Sequence, residues 1–304
     1  FTDTDGNGEW TAGQHTRDVS DERGMSVSGG VWYIESEGIV YRRPRADLDL
    51  GVGANYVVGR TKLATEVRRM TISPPAAAAI CCADGDDVHI GSKARVRAQG
   101  GTAVAYAQGS GTPSTGGGEL EGAMSGMPGY TGSVESLFGM TWSELRSMAD
   151  VSTNDPVNGL PDKVADYSMV VVTGDVTFDA ARPLRGTGLV LVDGNVTLEA
   201  GSNSFFKGLL YVSGDLTARA PAMISGQVVV EGQFDARGTG GDFVEFEHDA
   251  GIINQLLTRM GQYRSSKAPF TPSKKMVDGR PDERARGNRR FGHAQGKGDG
   301  PSSP

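Results

Sequence analysis

The chain opens with FTDTDGNGEW, in which Asp3, Asp5 and Asn7 have the alternating spacing of an oxygen-rich calcium loop. Gly8 falls at the turn position of such a loop, and Glu9 would offer its carbonyl. Hard Ca²⁺ therefore has candidate ligands at Asp3, Asp5, Asn7 and Glu9. The twelfth position is Gln14 rather than a bidentate Glu, which leaves Asp18, Asp21 or Glu22 to complete the shell. The competing reading is a solvated acidic turn.

Other reactive residue types are sparse. His89 follows Asp86 and Asp87, but His15, His248 and His293 are scattered along the chain, so a surface or structural histidine is the better reading. Cys81 and Cys82 are adjacent, which disfavours a bridge between them, and further thiols at zinc spacing are absent from the sequence. They read as small core residues. Asp175, Asp215 and Glu231 are the carboxylates to compare with those of pectin-cleaving β-helices. Read as equivalent positions of a repeat, they imply a ladder on the outside of stacked coils, and glycoside cleavage would need a cleft that no long loop builds. The basic stretch Lys274–Arg290 also contains Asp282 and Glu283 and has few aromatics, so nucleic acid is not an expected partner. No catalytic residue or organic cofactor is assigned, and a non-enzymatic protein is expected.

These residues are carried by a repeated phrase. SMVVVTGDVTFDA, GLVLVDGNVTLEA, GLLYVSGDLTARA and GQVVVEGQFDARG align on Gly174, Gly194, Gly214 and Gly232, at intervals of 20, 20 and 18. Val170, Val190, Leu210 and Val228 precede each glycine by four, and Val172, Val192, Val212 and Val230 precede it by two. Val176, Val196, Leu216 and Phe234 follow by two. Alternate strand residues share a face, so each copy sends an apolar column the same way, and stacked copies bury it. The expectation is a mainly β protein built on a short right-handed β-helix of about four coils. Asp249 should cap a helix running to about Tyr263, whose Ile253, Leu256, Leu257 and Met260 form an apolar stripe closing the solenoid end.

Four regions follow. Residues 1–75 are a β-rich entry segment with the calcium-loop-like start, in which Leu63, Thr65 and Val67 alternate as in a half-buried strand. Residues 76–167 mix loop, strand and a short helix signed by the capping-box pair Thr141 and Glu144, all packing on the solenoid. Residues 168–263 are the β-helix with its capping helix, and 264–304 a disordered basic tail. That tail has ten Lys or Arg against four Asp or Glu, leaving about −13 on the rest of a chain whose net charge is −7. The 45 glycines suit a fold of many tight turns. Neither a transmembrane run nor a signal peptide is evident, and the start at Phe1 points to a lost N-terminal segment with room for a membrane anchor.

The order of the pieces resembles the C-terminal β-helical region of PilX-like type IV pilus-assembly proteins, which are associated with minor pilins. A helix at FGMTWSELRSMAD leads into VVVTGDVTF, then the repeats, then a helix ending in GQYRSSKAPF. GRTKLATEVRRM is similar to that family's strand after its anchor helix, and AAAAICCADGDDVHIGSKARVRAQGG to its apolar run and turn, with Lys93 where the family has Asn before Ala94. The resemblance covers about residues 30–270. It implies a structural protein of the bacterial cell envelope or exterior, anchored through an absent N-terminal helix, working in pilus assembly or surface adhesion. Its partners would be other pilus or envelope proteins and surface polysaccharide. A bactofilin-like self-assembling scaffold is the alternative, and a polysaccharide-binding or polysaccharide-cleaving β-helix the second.

Overall fold

Alternation of polar and apolar residues after Gly30 produces an antiparallel ribbon at the N-terminal side of the fold. The computed structural model describes residues 16–23, 28–49, 52–260 and 263–266. Strand β1 (Thr16–Asp18) pairs with β2 (Val31–Arg42), and β2 with β3 (Tyr56–Arg69). Leu63, Thr65 and Val67 lie in β3, as their spacing predicts. Leu63, however, is 70% exposed, and Val40 and Val58 are each 62% exposed, so this part of the ribbon has an uncovered apolar side.

Residues 76–167 are not merely packed beside the solenoid. They supply β4 (Ala78–Cys82), β5 (Val88–Ile90), β6 (Ala94–Ala107) and β7 (Glu119–Met127), all parallel members of its sheets. Between β5 and β6 the chain turns through Lys93 at φ +59°, a left-handed conformation that Asn or Gly adopts more readily. Two short helices follow, α1 (Val134–Phe138) and α2 (Trp142–Met148), then β8 (Val151–Thr153). The capping box at α2 is present: the Glu144 carboxylate accepts the Thr141 N–H at 3.0 Å, and the Thr141 hydroxyl accepts the Glu144 N–H.

The repeats form four strand pairs: β9 (Val164–Thr173) with β10 (Val176–Phe178), β11 (Arg185–Asp193) with β12 (Val196–Leu198), β13 (Ser204–Val212) with β14 (Leu216–Arg219), and β15 (Ala222–Val230) with β16 (Phe234–Arg237). Then come β17 (Val244–His248), α3 (Ala250–Met260) and β18 (Tyr263–Ser265). The first strand of each pair stacks in a nine-stranded sheet and the second in a five-stranded sheet. Register keeps the aligned residues together: Val170, Val190, Leu210 and Val228 are consecutive partners, as are Val176, Val196, Leu216 and Phe234. All are buried and share one interior cluster.

Two expectations need correction. The stack is longer than four coils, because β8 extends it at one side and β4 to β7 at the other. The first added rung is composite. Residues Ala222–Gly226 of β15 pair with β17, whereas Val228–Val230 pair with Ile80–Cys82 of β4. The chain leaves the stack after His248 to enter α3, and β4 takes the backbone partners that would otherwise be missing. The helix itself is shorter than expected and does not close an end. It lies along the flank against β9, β13 and β15, burying Ile253, Leu256 and Met260. The physical reason is that Met169, Val171, Leu189, Leu191, Leu209 and Tyr211 face outward from the long sheet and must also be covered. Asp249 does cap this helix, its Oδ1 accepting the Ile252 N–H at 3.0 Å.

At the tail boundary, Arg264 and Ser265 belong to β18 paired with β3, so ordered structure runs past residue 264. The rest of the expected disordered tail lies outside the described residues.

A second glycine column stacks Gly188, Gly208 and Gly226 in register. Gly208 has φ +148°, and a Cβ there would collide with the Gly188 carbonyl. Gly208→Ala is therefore expected to cost more than about 2 kcal/mol of stability. Gly59→Ala, at a site with open space, is expected to stay within about 0.5 kcal/mol. Urea midpoints of the two variants check this.

Candidate functional site

The outer face of the five-stranded sheet is where alternation leaves polar side chains in a row. Thr177, Thr197, Thr217, Asp235 and His89 are successive register partners, and Ser114 bridges to His89. Aspartate and histidine thus stand side by side on neighbouring strands with serine in a bridging loop beside them, an arrangement the sequence hid because it draws on residues 89, 114 and 235. Chemistry of the serine-nucleophile kind would need hydrogen bonds from Asp to His and from His to Ser. Instead Asp235 is held by Arg219 at 2.8 Å and Arg237 at 3.0 Å, and no hydrogen bond joins His89 to Asp235 or Ser114 among the described residues. The two guanidiniums neutralise the carboxylate that would have oriented the imidazole. What remains is an open polar recess of about 270 Å³ lined by His89, Gly91, Ser92, Ser114 and Arg237. It could hold polar ligand groups by hydrogen bonding.

Asp175, Asp215 and Glu231 do not act as one set. Asp175 and Asp215 follow their repeat glycines, whereas Glu231 precedes Gly232 and is equivalent to Asp193 and Ser213. The first two belong to a ladder of side chain to backbone bonds. Asp175 Oδ1 accepts the Asn195 N–H, Asn195 Oδ1 the Asp215 N–H, and Asp215 Oδ1 the Gln233 N–H, each at 2.8 Å. Each side chain thereby satisfies the backbone of the next coil at its sharpest turn.

Glu231 sits elsewhere, half-buried on the flank beside Tyr211 and the loop before α1. Burial, reinforced by the nearby negative charges of Glu135 and Asp193, pushes its carboxyl up to about 7. Arg146, a cation of α2 on this flank, is committed to Asp193 and to Thr173. Burial also raises the Tyr130 phenol, whose hydroxyl has no partner among the described residues.

The cysteines are free and fully buried, Cys82 facing the interior and Cys81 the covered flank. Burial pushes the Cys81 thiol up to about 12 and Cys82 well above its ordinary value, so neither is a ready thiolate. His248 approaches the Gly226 carbonyl through Nδ1 at 3.2 Å.

Asp3, Asp5, Asn7 and Glu9 lie outside the described residues, as do His15, His293 and the Lys274–Arg290 stretch. Two of the residues offered to complete a calcium shell are otherwise engaged. The Asp18 carboxylate accepts bonds from the Ser20 hydroxyl and N–H, the Ser28 hydroxyl and the Gly29 N–H, and Glu22 pairs with Arg17. Those bonds, the Ser20 hydroxyl's foremost, hold Asp18 well below the usual carboxylate range. Among the described residues no group of three or more His, Cys, Asp or Glu is placed to hold a metal. No helix there is long and apolar enough to cross a membrane.

A further recess of about 160 Å³ lies at the β9–β10 side, where Leu160, Pro161, Phe178, Arg182, Pro183 and Arg185 converge. Its apolar floor is continuous with the solenoid interior.

No protein-family profile, curated protein or solved structure matches the chain.

The ladder makes a sharp forecast. Asp215→Ala should lower stability by about 1–2 kcal/mol by stranding the Gln233 N–H, and Asp215→Asn, which keeps the acceptor oxygen, by much less. Paired urea titrations read the difference.

Proposed function

We propose that this chain is a non-enzymatic structural protein of the bacterial cell envelope or exterior, similar to PilX-like pilus-assembly proteins, whose solenoid holds contact surfaces in fixed relation. The observation that carries this reading is the β2–β3 ribbon, with Val40, Val58 and Leu63 exposed beside a scaffold whose rungs are locked by register. Exposed apolar clusters on a rigid support favour association with another protein. Other pilus or envelope proteins are the partners this favours, and the polar face around His89 and Arg237 suits surface polysaccharide. A right-handed winding belongs to the same reading, since parallel crossovers are overwhelmingly of that hand. So does attachment through an N-terminal helix, with Asp3, Asp5, Asn7 and Glu9 binding Ca²⁺ outside the cell.

A second reading, a bactofilin-like scaffold assembling end to end, is favoured by one feature. Among the described residues β7 pairs with β6 alone, which leaves one edge of the terminal rung open there, and α3 packs on the flank against β9, β13 and β15. Electron microscopy of the purified chain distinguishes the two, since filaments of stacked solenoids would replace the first reading with the second.

For the first reading, fractionation of the native full-length protein in its own host is expected to find it in the envelope or outside the cell, and a purely cytoplasmic location would refute it. A Val40→Asp/Leu63→Asp double variant is expected to keep its unfolding midpoint within about 1 kcal/mol, because both side chains are already in water. It should lose at least tenfold in recovery of crosslinked envelope partners. Unchanged recovery would remove the ribbon from the contact surface.

A further inference from the structure

Glu231 directly follows β15, beneath the loop that enters α1, and its surroundings leave one proton to account for. The Tyr211 hydroxyl lies 3.0 Å from the Gly132 carbonyl and is also hydrogen-bonded with the Glu231 carboxyl. A phenol has a single proton, and a carbonyl only accepts. Both contacts coexist when Tyr211 donates to Gly132 and the carboxyl donates to Tyr211, which describes a protonated Glu231. Tyr211 from β13, Tyr130 from the covering segment, Glu135 from α1 and Asp193 from β11 face it, and the Val134 N–H, which donates to the carboxyl and favours its ionised form, is outweighed by burial and the two neighbouring carboxylates. None is a cation, and Arg146 is already bound to Asp193.

The same phenol ties the covering segment down. Its ring meets Phe138 of α1 and Trp142 of α2 edge-on, at 6.0 and 5.7 Å between centroids. Gly132 turns at φ +73°, where a Cβ would come within 3.1 Å of Ala83. Val134, Leu137 and Phe138 lie in the apolar cluster on the sheet's outer flank.

We propose that Glu231 and Tyr211 form a proton-operated latch, which holds the Tyr130–Phe138 segment closed on the solenoid flank while Glu231 is protonated and loosens it when that proton leaves. On ionisation the Tyr211 proton turns to the carboxylate, and the Gly132 carbonyl loses its donor. A half-buried negative charge without a counter-ion is then left beside Glu135 and Asp193. No atom is exchanged beyond the proton released to water.

The direction with pH follows from linkage. The folded protein holds this proton up to about pH 7, whereas an ordinary glutamate releases it near 4.5. The latch contribution is therefore complete below about pH 4.5 and falls as pH rises through 7.

Amide hydrogen exchange across residues 130–138, corrected for intrinsic rates, tests this on the full chain at pH 5.5 and 8. Protection in the wild type is expected to drop by about thirtyfold at the higher pH, tenfold for each of the roughly 1.5 pH units between the lower condition and the carboxyl's midpoint of about 7. Glu231→Gln keeps a donor toward Tyr211 without a titrating group, so its protection should not change between the two conditions. Equal wild-type protection at both pH values, or the same drop in Glu231→Gln, overturns the latch. Carbon-13 titration of the Glu231 carboxyl in unsubstituted protein covers the case in which the variant fails to fold: a midpoint near 7 supports the proposal, and one near 4.5 overturns it.

Discussion

Register between successive rungs is the constraint on which the rest of this protein depends. Every strand of the long sheet is parallel to its neighbours, so each backbone draws its hydrogen bonds from the rung on either side. A slip of one residue would move Val190 and Val192 out of the interior and put Leu191 in their place. Glycines enforce the arrangement at two points per coil, since Gly188, Gly208 and Gly226 stack where a side chain would strike the neighbouring carbonyl. The Asp175–Asn195–Asp215 ladder enforces it at the turn.

From that constraint follows the two-sided burial of the sheet. Inward residues such as Val170 and Leu210 fill the solenoid, where Phe234 and Phe246 meet edge-on at 5.0 Å. Outward residues such as Leu189 and Tyr211 are no less apolar, and they require α1, α2 and α3 as a cover. The helices are therefore side walls. Placing polar groups under such a wall is costly unless they are paired, which is why Gln227 donates to the Ala76 and Ala78 carbonyls and why Glu231 stands out.

Several polar residues that invite a chemical reading, as a metal ligand or as a catalytic carboxylate, are occupied with holding the fold. Asp235 is shared between Arg219 and Arg237, Asp18 accepts from Ser20, Ser28 and Gly29, and Asp215 serves the next coil. Among the described residues the architecture presents three surfaces: an apolar ribbon, a polar ladder face and an open rung.

The sequence by itself determined the repeat, its inward columns, the Thr141–Glu144 capping box and the Asp249 helix start, because each depends on residues within about twenty positions of one another. Local periodicity and backbone capping act over that range. Tertiary structure alone decided that β4 completes the rung begun by β17, that α3 lies on the flank, and that His89, Ser114 and Asp235 share a column. None of these has a local signature. The open hydrogen bonds beside Val228–Val230 can be met by any strand of suitable pattern, and chain connectivity selects Ile80–Cys82. Glu231 shows the same division: its type is plain in the chain, but its protonation depends on Tyr211, Gly132 and Asp193, which only folding brings against it.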